Sequence, residues 1–430
     1  MKSQEELVKV LRVPKFKIKS LKLTIKDYGE YDVQPLYFGS MILEKDYDSY
    51  NFPFLEISIA IPNRIYRAIK KNPANVDVYL NIKYALFKMD EPSGTSKESA
   101  NPKEYPWLAK NFYVYGIDGS PVENITEQEK VEDFHELQND DGDINNLTTT
   151  ALLLYDKEIL QKVNVITNEV ITRCTLSDAI TRTLNAANIS GVLMSPSTSA
   201  NSYKELTLLP QRTDEQLEHL CNDYSMYKEG GRIFFDFDCT YILRKSPKCT
   251  AWRPGEYKKT YVVYFPPDEM PYSKRQGIYK DSSEKANYCT MYGWAVTSPG
   301  TQIEQNYGTS YQVLDSKTGK VTTYTSSTEL IDGKETAPPS RMLVTNFGDT
   351  DTVNEMVSGI EKETTTWRVM LDSVVPDFID PNKEINLVFY QNKLSKYNGV
   401  YYLKKFFTNF ERSDTEWFTT NTELILTKRK

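Results

Sequence analysis

Residues 213–243 read TDEQLEHLCNDYSMYKEGGRIFFDFDCTYIL, and this stretch decides the fold class. Thr213 and Gln216 have the spacing of a capping box, in which two side chains satisfy free backbone amides at the start of a helix. One face of the predicted helix carries Leu217, Leu220, Cys221 and Tyr224. Gly230-Gly231 predicts its end, because glycine tolerates a left-handed cap. A single alternating strand is predicted over Ile233–Leu243, so the stretch indicates an α+β domain.

Upstream, the chain alternates apolar and polar residues in the manner of half-buried strands. Residues 55–61 predict one strand, Asn63 a helix cap, Arg64–Lys71 a short helix and Val76–Phe87 a second strand. Between Lys15 and Ile25 the alternation changes phase near Ser20, which predicts a bulge or a turn. Strand, short helix and strand indicate a small barrel that carries one helix. A loop is expected over Glu91–Pro106.

Downstream, the pattern is mostly that of strands. The predicted strands are Tyr257–Phe265, Ile385–Phe389, Gly399–Lys404 and Glu416–Thr427, with hairpin turns at Asp315–Gly319 and Asp332-Gly333. Before the opening stretch, a helix with Leu176, Ile180, Leu184 and Ala187 on one face is capped by Thr175 or Ser177. The predicted fold class is therefore α+β and β-rich. Two small antiparallel β-barrel domains flank an α+β middle domain and a β-rich insertion.

The change of pattern along the chain divides it into five parts. We predict a first barrel domain over 1–122, an acidic linker over 123–150 and the α+β middle domain over 151–250. A β-rich domain or insertion over 251–345 and a second barrel domain over 346–430 complete the chain. A chain of 430 residues is long enough for two to four domains.

Composition excludes several classes of protein. The chain has 52 basic and 59 acidic side chains, a net charge of −7, which argues against general affinity for nucleic acid. No stretch approaches the ~20 apolar residues of a membrane span. The first residues contain no apolar segment, so we expect no secretory signal and synthesis in a cytoplasm. The five cysteines have irregular spacing, which indicates reduced thiols rather than disulfides or a zinc site.

Two acidic motifs resemble metal sites. Asp236 and Asp238 have the spacing of a DxD motif, in which paired carboxylates on one strand face hold a divalent ion. The polar face of an amphipathic strand explains the pair equally well, and no phosphate-binding glycine loop accompanies it. Residues 140–145 offer several oxygen ligands, but counting from Asp141 the calcium-loop positions for glycine and glutamate hold Asn146 and Leu152. We therefore predict no metal-binding residue.

The sequence also offers no organised catalytic group. His219 and Cys221 are two residues apart on the predicted helix and so do not face each other. His135 lies in the acidic linker, and no nucleophile elbow, zinc motif or phosphate loop is present. Carboxylates alone could form a glycosidase site, whose spacing a sequence does not reveal. We predict no enzyme activity and neither catalytic nor cofactor-binding residues.

Three parts of the chain together resemble the baseplate hub, or tail hub, proteins of contractile-tailed bacteriophages, which are relatives of secretion-system spike hubs. The first is residues 52–62 with the following helix and strand, similar to the first hub barrel. The second is Leu208–Leu243, where a helix leads into a strand that reads roughly FxFDxDxxYLL. The third is residues 398–410 with 422–426, similar to the closing barrel. The acidic linker and the segment 265–345 have no counterpart in this pattern.

The resemblance implies a structural protein of the virion. Hubs of this family are homotrimers whose two barrels per subunit form a pseudo-six-fold ring, which adapts a six-fold tail tube to a three-fold central spike. The expected partners are therefore two further copies, the tail tube protein, the spike and other baseplate proteins. DNA would pass only transiently through an acidic channel, and no membrane insertion by this chain is expected.

Two alternatives stay open at this point. A receptor- or glycan-binding tail module would use aromatic side chains to stack on sugars, and the tryptophans available for this are Trp107, Trp252, Trp294, Trp367 and Trp417. Aromatic residues that fill barrel cores explain the same composition. A cell-wall hydrolase that uses only carboxylates is the second alternative.

Overall fold

The structure is a computed structural model of the 430-residue chain. It describes residues 2–48, 51–88, 102–118, 120–121, 147–199, 202–224, 226–227, 230–246, 256–266, 277–297, 310–315, 320–325, 341–345, 363–391, 393–413 and 416–429.

The first part of the chain, lobe 1, is mostly strands. Its elements are α1 (Gln4–Val10), β1 (Arg12–Ile25), β2 (Gly29–Asp32), β3 (Phe38–Asp46), β4 (Phe54–Pro62), α2 (Asn63–Lys71), β5 (Val76–Lys88), β6 (Glu104–Ile117), β7 (Ser120–Pro121) and β8 (Leu147–Asp156).

The middle segment mixes helices and short strands. Its elements are α3 (Lys157–Val163), β9 (Ile166–Thr175), α4 (Leu176–Ala186), β10 (Val192–Met194), β11 (Ser202–Arg212), α5 (Thr213–Glu218), a π-helical turn (His219–Asp223), β12 (Gly231–Phe235) and β13 (Thr240–Arg244).

The last part contains lobe 2 and an insertion sheet. Lobe 2 consists of β14 (Lys259–Tyr264), β15 (Ile278–Asp281), β16 (Ala286–Thr297), β20 (Glu363–Asp372), β21 (Glu384–Phe389), β22 (Gly399–Arg412) and β23 (Phe418–Arg429). Between β16 and β20 the insertion sheet holds β17 (Ser310–Asp315), β18 (Val321–Thr325) and β19 (Arg341–Thr345).

The two lobes share one 15-stranded sheet. In lobe 1 the strands pair in the order β1-β5-β6-β8-β4-β3, and in lobe 2 in the order β14-β21-β22-β23-β20-β16. Strand β14 also pairs with β16. The lobes are joined by pairing of β22 with β3, of β23 with β1 and of β15 with β1. The strand pairing of this sheet therefore runs from one lobe into the other without a break.

Five strands in each lobe follow the same plan. In lobe 1 the pairing runs β3-β4-β8-β6-β5, antiparallel at every step. In lobe 2 it runs β16-β20-β23-β22-β21, again antiparallel at every step. Counted along the chain, both sets pair in the order first, second, fifth, fourth and third. The two lobes thus repeat one arrangement of strands, although the sequence shows no repeat.

The two lobes share one apolar core, and the middle segment has another. The largest cluster spans both lobes, with Phe16 and Phe410 at 1% exposure and Trp367 at 0%. The middle segment packs α4 and α5 on the β9–β11 ribbon around Ile180, Leu208 and Leu217. Burial of each such side chain contributes roughly 1.5–3 kcal/mol to folding.

Several predictions are confirmed. The structure is β-rich, with a mixed α+β composition and one large sheet. Strands β4 and β5 flank α2 as the alternation predicts, and β1 has its bulge between Ile18 and Ser20. Thr175 caps α4, because its hydroxyl accepts the amide of Asp178. Local patterns were enough in each case, because the alternation of apolar residues and the capping of a helix both depend on neighbours within a few residues.

The helix of the opening stretch is shorter than predicted. It starts after Arg212, whose backbone amide donates to the Glu215 carboxylate, so Thr213 and Gln216 do not form the predicted capping box. The Thr213 hydroxyl instead donates to the carbonyl of Val165. After the π-helical turn the helix ends at Asp223. Gly230, with φ of +81°, therefore does not end the helix but lies directly before β12.

The predicted strand Ile233–Leu243 is in fact a hairpin. Strands β12 and β13 pair antiparallel, and Phe235 lies opposite Thr240. The amide of Asp236 donates to the Cys239 carbonyl and closes the turn. Four residues separate the two strands. Because this number is even, apolar residues fall on alternate positions before, within and after the turn, and the sequence looks like one strand.

Two smaller predictions are also wrong. Pro62, rather than Asn63, stands at the cap position of α2. The expected loop over Glu91–Pro106 already forms strand from Glu104 onward. Strand β8 starts at Leu147, inside the predicted acidic linker. Linker residues 123–146 and the predicted turn at Asp332-Gly333 lie outside the described residues, and the domain boundaries stay a prediction.

Candidate functional site

The tip of the β12–β13 hairpin lies where the middle segment meets both lobes. Asp236 at this tip is 8% exposed, and its two carboxylate oxygens each lie 2.7 Å from the Lys45 ammonium nitrogen. Lys45 belongs to the inward face of β3, which also carries Met41 and Leu43. This buried ion pair fixes the hairpin to lobe 1.

Lobe 2 supplies a second carboxylate to the same place. Asp377 lies on the short 3-10 helix after β20, and its Oδ1 accepts a hydrogen bond of 3.2 Å from the Trp107 indole of lobe 1. Asp377 is exposed to solvent on one side, but protein atoms surround most of its carboxyl group. The resulting desolvation raises the pKa of this carboxyl. The charges of Lys45 and Lys383 act in the opposite direction.

These groups line a cavity of about 140 Å³ between the hairpin and the two lobes. The charged side chains on its wall are Lys45, Asp236, Asp238, Asp377 and Asp380. One lysine faces four carboxylates, so the cavity is acidic. At this cavity the Lys45–Asp236 ion pair and the Trp107–Asp377 hydrogen bond connect the hairpin to lobe 1 and lobe 1 to lobe 2.

Arg232 ties the hairpin to lobe 2 from the other side. The residue is 4% exposed, and its guanidinium donates to the carbonyl oxygens of Leu403 and, at 2.9 Å, Pro381. The same group lies 5.3 Å from the centre of the Tyr402 ring. Lys45 and Arg232 together hold the middle segment against both lobes.

Aromatic side chains fill the boundary between the lobes. The Phe16 ring of β1 packs edge-on against Phe410 of β22, with centroids 5.0 Å apart. Trp107 stacks on the same Phe410 ring at 5.2 Å, and Phe38 meets Phe418 at 5.4 Å. Because edge-to-face and offset pairs are the preferred aromatic geometries, these contacts favour one fixed relation between the lobes.

The structure separates the two aspartates of the predicted DxD motif. Asp236 is buried on Lys45, whereas Asp238 is exposed within the turn. Because a turn rather than a strand contains them, they do not share a strand face. Among the residues that the structure describes, no group of three or more His, Cys, Asp or Glu side chains is arranged to hold a metal ion.

A larger polar cavity, of about 520 Å³, lies beside the π-helical turn. There the Nδ1 of His219 lies 2.7 Å from the Asp223 carboxylate. Cys221 is fully buried in the core of the middle segment, so His219 and Cys221 face different surroundings, as predicted. The cavity therefore lacks a Cys–His pair.

The remaining candidate residues serve packing or lie outside the described residues. Trp367 is fully buried, Trp294 packs on it at 5.6 Å, and Trp417 packs edge-on against Phe87. The four cysteines that the structure describes, Cys174, Cys221, Cys239 and Cys289, form no disulfide. The structure does not describe His135, residues 140–145, Cys249 or Trp252.

Sequence reasoning missed Lys45, Asp377 and Arg232. A signal existed for Lys45, since it follows Met41 and Leu43 on the apolar side of an alternating strand. Charged residues are almost never fully buried unless they are paired, so a lysine in that position indicates a buried partner. No helix among the described residues has the length and apolarity needed to cross a membrane.

Comparison with solved structures finds proteins to which this chain is similar. The tail protein from Neisseria meningitidis MC58 is 9% identical, with 96% of each chain covered and a TM-score of 0.50. The 43 kDa tail protein of prophage MuSo2 from Shewanella oneidensis is 8% identical, with 95% of this chain and 98% of that chain covered and a TM-score of 0.47. The Francisella PdpA–VgrG complex covers 97% of this chain and 53% of its own, at 10% identity and a TM-score of 0.44.

Comparison of sequences assigns the family. No curated protein matches this sequence. The family profile of the bacteriophage PBS1 gene 109 protein, in contrast, matches residues 11–429, nearly the whole chain. The predicted resemblance to phage tail and baseplate proteins is thereby confirmed. The chain belongs to the bacteriophage PBS1 gene 109 protein family.

Proposed function

We propose that this chain is the baseplate hub subunit of a phage tail. Three copies form a ring that joins a six-fold tail tube to a three-fold central spike and leaves a channel for DNA. In this proposal the chain is not an enzyme, and it is a component of the virion that is made in the host cytoplasm.

The observation that supports the proposal best is the shared strand order of the two lobes. Strands β3-β4-β8-β6-β5 and β16-β20-β23-β22-β21 pair in the same sequence and the same directions. A chain with two equivalent lobes supplies six equivalent units when three copies form a ring. Such a ring presents near-six-fold symmetry to the tube and three-fold symmetry to the spike.

The pairings also support two closed barrels. Lobe 2 forms a cycle, because β14 pairs with both β16 and β21 at the ends of its strand order. In lobe 1 the ends of the strand order are β1 and β3, and both pair with the β22–β23 hairpin of lobe 2. We infer that this hairpin completes the first barrel and is shared by both.

A fixed angle between the lobes is a further requirement of a ring. The Lys45–Asp236 pair, the Arg232 hydrogen bonds and the aromatic contacts of Phe410 all lie at the lobe boundary. Together they resist rotation of one lobe against the other. We therefore propose that the middle segment acts as a brace for the two lobes rather than as a binding site of its own.

The net charge of −7 suits passage of DNA. An acidic channel repels phosphates and so keeps a passing genome mobile. The proposed partners are the tail tube protein, the central spike and other baseplate proteins. The five predicted segments, with boundaries at 122, 150, 250 and 345, serve here as the proposed domains.

Mass measurement and imaging test this function. Purified protein is expected to have a mass of three copies by light scattering, and cryo-electron microscopy of virions should place it around the tail axis at the tube–spike junction. A monomer at every concentration, together with a position away from that axis, would overturn the proposal. A basic channel wall in the assembled ring would contradict the proposed passage of DNA.

A further inference from the structure

The contact between the lobes within one chain has a clear pattern. Strand β3 is the first of the five shared strands of lobe 1, and its edge away from β4 pairs with β22 of lobe 2 from Met41 to Asp46. Strand β22 forms a hairpin with β23. The first strand of one lobe therefore meets the hairpin formed by the last two strands of the other.

In lobe 2 the strand equivalent to β3 is β16. On the side away from β20 it pairs with β14 as far as Met291. From Trp294 to Thr297 that edge has no partner strand in the part of the chain that the structure describes. Val296 on this stretch is 43% exposed. An open edge strand with an exposed β-branched residue is a ready site for association.

In lobe 1 the strands equivalent to β22 and β23 are β6 and β8. Tyr115 on β6 is 50% exposed, and its ring packs edge-on against Tyr155 of β8 at 5.2 Å. The Phe54 ring extends this aromatic patch, 6.1 Å from Tyr155. The β6–β8 pair of lobe 1 thus also carries exposed apolar surface, and in the strand order β4 separates it from the β3 edge by which lobe 1 contacts lobe 2.

We propose that the β16 edge around Val296 of one copy docks on the β6–β8 face around Tyr115 of the next copy. The proposal rests on the proposed ring. In such a ring every contact between lobes must be of one kind, so the internal contact of β3 with β22 and β23 sets the pattern for the contact between copies. Because the two surfaces differ, the contact is head-to-tail, and it forms the proposed ring only if three copies complete a full turn.

Cross-linking of two introduced cysteines tests this contact. In the Tyr115→Cys/Val296→Cys variant, a short bis-maleimide is expected to join residue 115 of one copy to residue 296 of another, as identified by mass spectrometry of the peptides. Mixing the two single variants should give the same link, which proves that it lies between copies. If the assembled protein has the mass of three copies but lacks this link, the interface is wrong and the ring remains. If the mass is that of a monomer, the ring itself fails.

A charge substitution gives an independent measurement. Val296→Lys is expected to weaken assembly at least tenfold, because it places an ammonium group on the edge that must pair. Val170→Lys is the matched control, since Val170 is 57% exposed on the β9–β11 ribbon, outside the proposed contact. Both variants should keep the wild-type melting curve of the monomer. Equal assembly of the two variants, or loss of assembly in Val170→Lys alone, overturns the proposal.

Discussion

The Lys45 ammonium nitrogen lies 2.7 Å from each carboxylate oxygen of Asp236, although 191 residues separate the two in sequence. Lys45 is 7% exposed and Asp236 8%. Asp236 also accepts the backbone amide of Phe237 at 2.8 Å, so the carboxylate has more than one donor. A buried pair of this kind fixes geometry more than it adds stability, because desolvation offsets much of the attraction.

Removal of one partner of this pair is therefore expected to be costly. Lys45→Met leaves the Asp236 charge buried without its cation, and we expect it to lower the free energy of unfolding by about 3–5 kcal/mol. Chemical denaturation of the purified variant measures this loss. The double variant Lys45→Met/Asp236→Leu should recover a large part of it, since no charge then stays buried.

Lys22→Met is the control for this experiment. The Lys22 ammonium lies 3.6 Å from Asp32 on the surface, where an ion pair contributes only about 0–1 kcal/mol. Equal losses for Lys45→Met and Lys22→Met would mean that the buried pair does not hold the hairpin in place.

Gly277, just before β15, cannot take a side chain. Its φ is +133°, and a Cβ atom would lie 2.6 Å from the backbone oxygen of Arg12. Gly277→Ala should lower the free energy of unfolding by at least about 1–3 kcal/mol, because strain and a backbone clash add together. Gly29→Ala has the strain without the clash, since φ is +111° and no atom of the described residues lies within 4 Å of the new Cβ. A thermal melt that ranks Gly29→Ala as the more harmful change would contradict this reading.

Asp178 at the start of α4 makes stability depend on pH. The backbone amide of Thr175, and then its hydroxyl, donate to this carboxylate and lower its pKa below the ordinary value. Because its pKa is lower in the folded state, Asp178 stabilises the protein at pH values above its unfolded pKa of ~3.9. This stabilisation is lost as the pH falls through the folded-state pKa. Asp178→Ala should cost about 0.5–1 kcal/mol at pH 7 and progressively less below about pH 4. Ser177→Ala, one residue earlier, is the control: denaturation curves should show an unchanged free energy of unfolding across this pH range.

The success of the sequence predictions depended on how local the signal was. The cap of α4 by Thr175 and the bulge before Ser20 are set by neighbours within a few residues, and both were predicted correctly. The β12–β13 hairpin was missed although it is local. Its turn has an even number of residues, so Phe237 and Cys239 continue the alternation of the strands.

The candidate site depended instead on distant contacts. Lys45, Asp236 and Asp377 come from three parts of the chain, and no periodic pattern records which strand faces which. The same applies to the pairing of β22 with β3, which joins the lobes. The shared strand order of the lobes was likewise visible only in the structure, because equivalent strands keep their pairing without keeping their residues.

The buried cysteines lead to a prediction about reactivity. Burial raises the pKa of the Cys289 thiol to about 12 and raises that of Cys221 as well, whereas Cys239 is only partly buried in the hairpin turn. Because the thiolate is the reactive form, a thiol of pKa 12 is ionised only about one part in 10⁴ at pH 8. Iodoacetamide at pH 8 should therefore modify Cys239 at least tenfold faster than Cys221 or Cys289, as followed peptide by peptide with mass spectrometry. In denaturant the three rates should converge, since unfolding removes the burial. Comparable rates in the native protein would show that the cores around Cys221 and Cys289 open on the time scale of the reaction.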